Sequence, residues 1–232
     1  MSMAQEVTAA DRDEALYLTY KALIYPNSEQ RRAIAANIEN NRYVHNLMIT
    51  YCRLHLDGYE RLPSRNDLVR FGTLIWKRCP SFHDMYQNSM NETARRVLIS
   101  YKRCLEKNRA VANDGTVTRD HGRPRYRKTG CCRSYGYPSS AGFSIYEKDG
   151  RHFIRLGKIA GRKGSKVKGL RLHGPDIPKG TPKTCTVSRT DMGTHYEYHI
   201  SVVFRMVPGY RRGEIHLERD QFQPVGIDVG IS

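Results

Sequence analysis

A chain of 232 residues with a formal net charge of +16 and a hydrophobic fraction of 39% carries enough apolar residues for a core, arranged as one large or two modest domains. From Arg119 to Arg189 there are 18 Lys/Arg against 4 Asp/Glu, whereas the rest of the chain is nearly balanced; a run of one sign implies a polyanionic partner, and nucleic acid fits best because each neutralised phosphate releases counterions. That segment holds neither a basic amphipathic helix nor a long apolar run, which excludes a membrane as the partner.

In chain order, the aromatic and aliphatic stretch 15–25 reads as a strand stopped by Pro26. Met1 to Asp13 before it is polar and shows no secretory h-region, so the six cysteines, none in CxxC spacing, read as reduced thiols of a cytoplasmic protein. Asn27 and Gln30 have the spacing of a capping box and open a helix whose apolar face carries Val44, Leu47, Met48, Tyr51 and Leu54; Asp57-Gly58 is expected to end it. A second helix starts at Ser64 with Asp67 and buries Leu68, Phe71 and Ile75. A third carries Met90, Ala94, Val97, Leu98, Tyr101 and Leu105, and its opposite face, with Arg95, Arg96, Lys102 and Arg103, reads as solvated.

Near Asn113-Asp114-Gly115 the helical period disappears. Residues 119–140 read as a loop studded with Arg and Tyr, followed by strands over 141–147, 151–159, 183–190 and 195–206. In the last, Tyr196, Tyr198, Ile200, Val202, Phe204 and Met206 alternate with a mostly polar set, and Asp191-Met192-Gly193-Thr194 turns the chain, so 183–206 reads as a hairpin. Short strands joined by basic loops predict a small antiparallel β-barrel. The first strand cannot stand alone with unsatisfied backbone groups. It therefore belongs to that barrel, and the helices are an insertion: an α+β fold divided into 1–26, 27–112 and 113–222, with 223–232 starting something further.

Three segments carry candidate chemistry. Gly122-Arg-Pro-Arg-Tyr-Arg-Lys128 places Arg123, Arg125, Arg127 and Lys128 for phosphates and Tyr126 for stacking on a base, with Arg133 just beyond; a flexible basic linker is the alternative. Gly161-Arg-Lys-Gly-Ser-Lys-Val-Lys168 offers Arg162, Lys163, Lys166 and Lys168 to a nucleic-acid backbone, and it lacks the Walker spacing that nucleotide hydrolysis requires. Finally, Val225, Ile227 and Val229 alternate with Gly226, Asp228 and Gly230, which sets one carboxylate between two residues without side chains, where a divalent metal and a phosphodiester can approach the backbone.

Taken together, Tyr20-Lys-x-x-Ile-Tyr-Pro-x-x-Glu-Gln30, Asn41-Arg-Tyr-Val-His-Asn46, Gly122-Arg-Pro-Arg-Tyr-Arg-Lys128, Thr186-Val-Ser188 and Val225-Gly-Ile-Asp-Val-Gly-Ile231 resemble, in order, segments of the TnpB proteins encoded by insertion-sequence transposons. Those are RNA-guided DNA endonucleases related to type V CRISPR effectors. The resemblance implies a wedge barrel interrupted by a helical recognition domain, with guide RNA and a double-stranded DNA target as partners. It also implies that 223–232 is the first strand of a RuvC-like, RNase H-type domain, with Asp228 as a catalytic Mg²⁺ ligand. Such a site needs several carboxylates around two metals. Only four residues follow Asp228, so the chain is expected to hold Mg²⁺ poorly and to be inactive as a nuclease unless another chain supplies the rest of RuvC. The sequence-based alternatives are a stand-alone RNA-guided repressor that binds without cutting, and a general RNA-binding protein with no transposon link.

Overall fold

The structure, a computed structural model, describes residues 17–114, 122–159 and 169–206. Seven strands, β1 (Tyr17–Ile24), β2 (Ser134–Tyr137), β3 (Phe143–Lys148), β4 (Arg151–Leu156), β5 (Leu170–His173), β6 (Gly180–Asp191) and β7 (Tyr196–Met206), form one curled antiparallel sheet in the order β2-β6-β7-β1-β5-β4-β3. Between β1 and β2 the chain makes three helices, α1 (Ser28–Tyr59), α2 (Arg65–Arg78) and α3 (Gln87–Asp114).

The place of β1 follows from backbone accounting. All eight of its residues pair with β7, from Tyr17 opposite Arg205 to Ile24 opposite Tyr198, and Leu23 and Ile24 pair on their other side with β5. The first strand is thus internal to a sheet built mostly from the second half of the chain, and the helices are an insertion, as expected. The β6–β7 hairpin is present, with a bulge between Pro182 and Thr184, where proline has no N–H for the ladder.

The expected small antiparallel β-barrel is present in part, as a half-barrel: β2 and β3 are the two edges and share no ladder. They approach at one corner, where Tyr137 Oη donates to Gly157 O at 2.9 Å and Gly157 N donates to Gly142 O at 2.8 Å. Gly142 is required there, since a Cβ would lie 2.6 Å from the Tyr86 ring and 2.7 Å from that of Tyr137. Strand β2 lies inside 119–140, which reads as loop, and β5 falls outside the expected strands; at four residues each, both are too short to show alternation. The strand expected over 151–159 ends at Leu156.

Both capping boxes form, Asn27 with Gln30 and Ser64 with Asp67; each N-cap stabilises its helix by about 1 kcal/mol. Helix α1 does not stop at Gly58 but runs to Tyr59 and is closed by Glu60, a non-glycine residue at φ 55° whose N–H reaches Leu56 O.

Two apolar cores result, and α1 threads both. Ile34 and Ile38 join Tyr20, Ala22, Ile24, Tyr135, Tyr137, Ile154, Ile200 and Val202 inside the curled sheet. Val44, Met48, Ile49 and Cys52 join Leu68, Met90, Val97 and Tyr101 among the helices. Between them α1 buries polar groups instead: Asn37, Asn41, Arg42 and His45. Thr93 of α3 donates to Asn41 Oδ1 at 2.8 Å, and Asn41 Nδ2 donates to Asn37 O at 2.8 Å. Buried polar groups stay affordable only when bonded in this way.

Candidate nucleic-acid interface

Residues 122–133 form neither a free loop nor a linker. They lie as a strap along the outer side of α1, fixed through their own backbone. Arg127 N donates to Asn46 Oδ1 at 2.8 Å, while Arg127 O accepts from Asn46 Nδ2 at 3.0 Å and from Arg42 at 3.1 Å. Further along, Arg53 donates to Pro124 O at 3.0 Å, and the side chain of Cys104 on α3 reaches Gly122 O at 3.5 Å.

This docking sorts the candidate cations by availability. Arg123 is paired with Asp57 at 2.7 Å, and Arg127 turns its guanidinium onto Cys132 Sγ at 3.2 Å. Tyr126 has the Arg53 guanidinium 4.4 Å from its ring centroid and its hydroxyl 3.2 Å from Thr50 Oγ1, and the residue remains about half exposed. Arg125, Lys128 and Arg133 are exposed and make no ion pair among the described residues. His45 lies beneath the strap, hydrogen-bonded to the Arg125 backbone; burial, reinforced by the charge of Arg127, pushes its pKa down to about 4.

A second cationic feature lies where α2 and α3 meet the sheet. A groove of about 470 Å³ is lined by Arg65 at the start of α2, by Asn88, Asn91, Glu92, Arg95 and Arg96 of α3, and by residues of β2 and β6, including Tyr137 and Thr186. Glu92 is mostly buried and accepts from Arg95 at 2.8 and 2.9 Å and from Arg96 at 2.9 Å. Burial alone would raise the Glu92 carboxyl, but the hydrogen bonds from the two arginines outweigh it and hold the pKa below the usual glutamate value. One carboxylate thus organises two guanidinium groups, and Arg65 adds a third positive charge on the rim. The groove closes tightly because β2 carries Gly136 here: a Cβ would stand 3.1 Å from Arg96 Nη2 and 3.3 Å from Glu92 Cγ.

The groove residues are those that sequence reasoning passed over. The polar face of α3 reads as solvated, and Arg95, Arg96, Lys102 and Arg103 are all exposed; Arg95 and Arg96 differ in being bonded to Glu92. The signal was Glu92, spaced i+3 and i+4 from the two arginines, which fixes them instead of leaving them mobile.

Arg162, Lys163, Lys166, Lys168 and Asp228 lie outside the described residues, as does the remainder of the expected RuvC-like strand. Among the described residues no group of His, Cys, Asp or Glu could hold a metal ion, and no helix is long and apolar enough to cross a membrane. All six cysteines are free thiols. Burial pushes the Cys52 thiol up to about 12 and raises that of Cys185 as well, so both act as packing groups and not as nucleophiles. In comparison with known proteins, no family model and no curated protein matches the chain.

Proposed function

We propose that this chain is the nucleic-acid-binding portion of a TnpB-like protein, its half-barrel acting as the wedge and its helical block as the recognition region, with guide RNA and target-flanking duplex DNA as partners. The observation that carries the reading is architectural. The helical block is inserted after a single internal strand, and a cationic groove follows the seam between that insertion and the sheet. A groove with Arg65, Arg95 and Arg96 on its walls suits a phosphate backbone, since guanidinium groups match phosphate oxygens in bidentate fashion. Holding Arg95 and Arg96 on one carboxylate lowers the ordering cost that free side chains would meet on binding.

In this reading phosphate contacts set the register of the nucleic acid, and sequence selection comes mainly from guide pairing. Asp228 belongs to the part that would contribute a Mg²⁺ ligand if further RuvC carboxylates joined it. No reaction step is assigned to the described residues; their role is to bind.

The experiment is to purify the chain from cells and sequence the RNA that accompanies it. One dominant RNA species is expected. A mixed, non-selective population would remove the guide role, and the absence of RNA would remove RNA binding as well.

A further inference from the structure

The β3–β4–β5 end of the sheet has two unlike faces. Phe143, Ile154, Leu156, Leu170 and Leu172 point into the core. By strand alternation, Tyr146, Lys148, Arg151, Phe153, Arg155 and Arg171 point outward. The register sets Tyr146 opposite Phe153 and Phe153 opposite Arg171, with Lys148 opposite Arg151 in the next row. Both rings are half-buried, stacked with their centroids 5.5 Å apart and their planes within 17°. The Arg155 guanidinium stands 5.5 Å over Tyr146.

We propose that this outer face is a base-stacking platform for unpaired nucleotides of a single-stranded nucleic acid, a proposal that rests on the nucleic-acid-binding reading above. Three observations carry it. First, all four cations are exposed, and none makes an ion pair among the described residues. The one carboxylate within these three strands, Glu147, alternates to the opposite face. A merely solvated face normally mixes signs.

Second, aromatic rings in the middle of a cationic sheet are what stacking on bases requires, because every base has a π-face and the surrounding cations take the phosphates. Bases within a duplex are already stacked on one another, so rings on the face of a sheet can be reached only by unpaired ones. Third, the platform is rigid: the Tyr146 hydroxyl accepts from Gly169 N at 3.2 Å. Glycine is required at that position, because a Cβ would lie 2.8 Å from both Tyr146 Oη and Ile154 O. A ring held at both ends loses little freedom when a base settles on it.

The test uses the whole chain and fluorescence anisotropy with a labelled oligoribonucleotide of mixed sequence, alongside an abasic strand with the same number of phosphates. The wild type is expected to bind the base-bearing strand about tenfold more tightly than the abasic one. Phe153→Leu and Tyr146→Leu, which keep apolar volume but remove the ring, are expected to bring the two affinities close to parity. Arg171→Gln is expected to weaken both strands alike.

A deoxyribo-oligonucleotide pair run in parallel identifies the sugar, since the preference for bases should appear with at least one of the two. Equal binding of base-bearing and abasic strands by the wild type, with either sugar, would overturn the platform while leaving phosphate binding intact. So would full retention of the preference in a folded Phe153→Leu variant. Failure of the wild type to bind any strand would instead bring down the nucleic-acid reading, and the platform with it. The wild-type comparison needs no variant, so it decides the matter even where a substitution prevents folding.

Discussion

The strap over α1 and the outer face of β3–β5 are both dense in cations, yet the fold treats them in opposite ways. On the strap, Arg123 is matched by Asp57, Arg127 by Cys132, and the Tyr126 ring lies against Arg53. Much of what reads in the sequence as a nucleic-acid motif is fastening between two segments of one chain. On the sheet, Lys148, Arg151, Arg155 and Arg171 meet no acid among the described residues, and their aromatic neighbours face outward with them. Density of charge along a sequence measures how strongly a region attracts polyanions at long range. It does not tell which cations still have bonds to give, and that depends on partners distant in sequence: Arg123 and Asp57 are 66 positions apart, Arg127 and Asn46 81.

The contrast can be broken most forcefully by charge removal. Replacing Lys148, Arg151, Arg155 and Arg171 with Ala is expected to make the dependence of log affinity on log salt shallower by about 3, the loss of four phosphate contacts to a single strand. Replacing Arg123 and Arg127 is expected to change it by less than about 1, while Arg125 and Lys128 on the same strap should account for about 1.5 between them. If the four sheet cations changed nothing and Arg123 with Arg127 changed everything, the assignment of roles would be reversed.

Next in size is an acid sensitivity confined to the strap. His45 is neutral in the folded chain, with its pKa depressed to about 4, so the unfolded chain binds the extra proton at higher pH. Stability should therefore be complete above the ordinary histidine value of about 6.5 and fall as pH drops through the window down to about 4, by on the order of 1–3 kcal/mol. Thermal melts across that range in wild type and His45→Gln check this; the variant should show a flatter profile. A charged His45 also repels Arg127, so hydrogen exchange at the Arg127 amide should quicken over the same window.

Asn46→Ala removes both reciprocal bonds to the Arg127 backbone and is expected to cost about 1–2 kcal/mol, with faster amide exchange along 122–128 and the core of the sheet unaffected. Smallest of all is Arg123→Ala. Its ion pair with Asp57 is about half exposed on both sides, and pairs of that kind contribute little. The melting midpoint should stay within experimental error.

Much of the architecture was legible because some signals are local. Asn27 with Gln30 and Ser64 with Asp67 announce their helices through capping chemistry that involves only neighbouring residues. The alternation from Tyr196 to Met206 likewise states which face of β7 is buried, and Tyr198, Ile200, Val202, Phe204 and Met206 are all in the core. The insertion of the helices followed from one non-local rule, that a strand must find partners. What escaped was either too short to have a period, as with β2 and β5, or set by contacts between distant segments. The choice of Glu60 over Gly58 to close α1 belongs to the second kind, as do the docking of the strap and the groove at Arg65, Arg95 and Arg96. Phe153 and Tyr146 were in plain view within expected strands, but only the register, which sets them side by side with Arg171, turns two aromatic residues into a surface.

The most direct measurement is a salt titration of binding to a single-stranded oligoribonucleotide, comparing the wild type with the variant lacking Lys148, Arg151, Arg155 and Arg171. The expected result is a steep linear loss of affinity with salt in the wild type and a markedly shallower slope in the variant. Identical slopes, or wild-type binding indifferent to salt, would contradict the claim that the unpaired cations of the β3–β5 face contribute to holding nucleic acid.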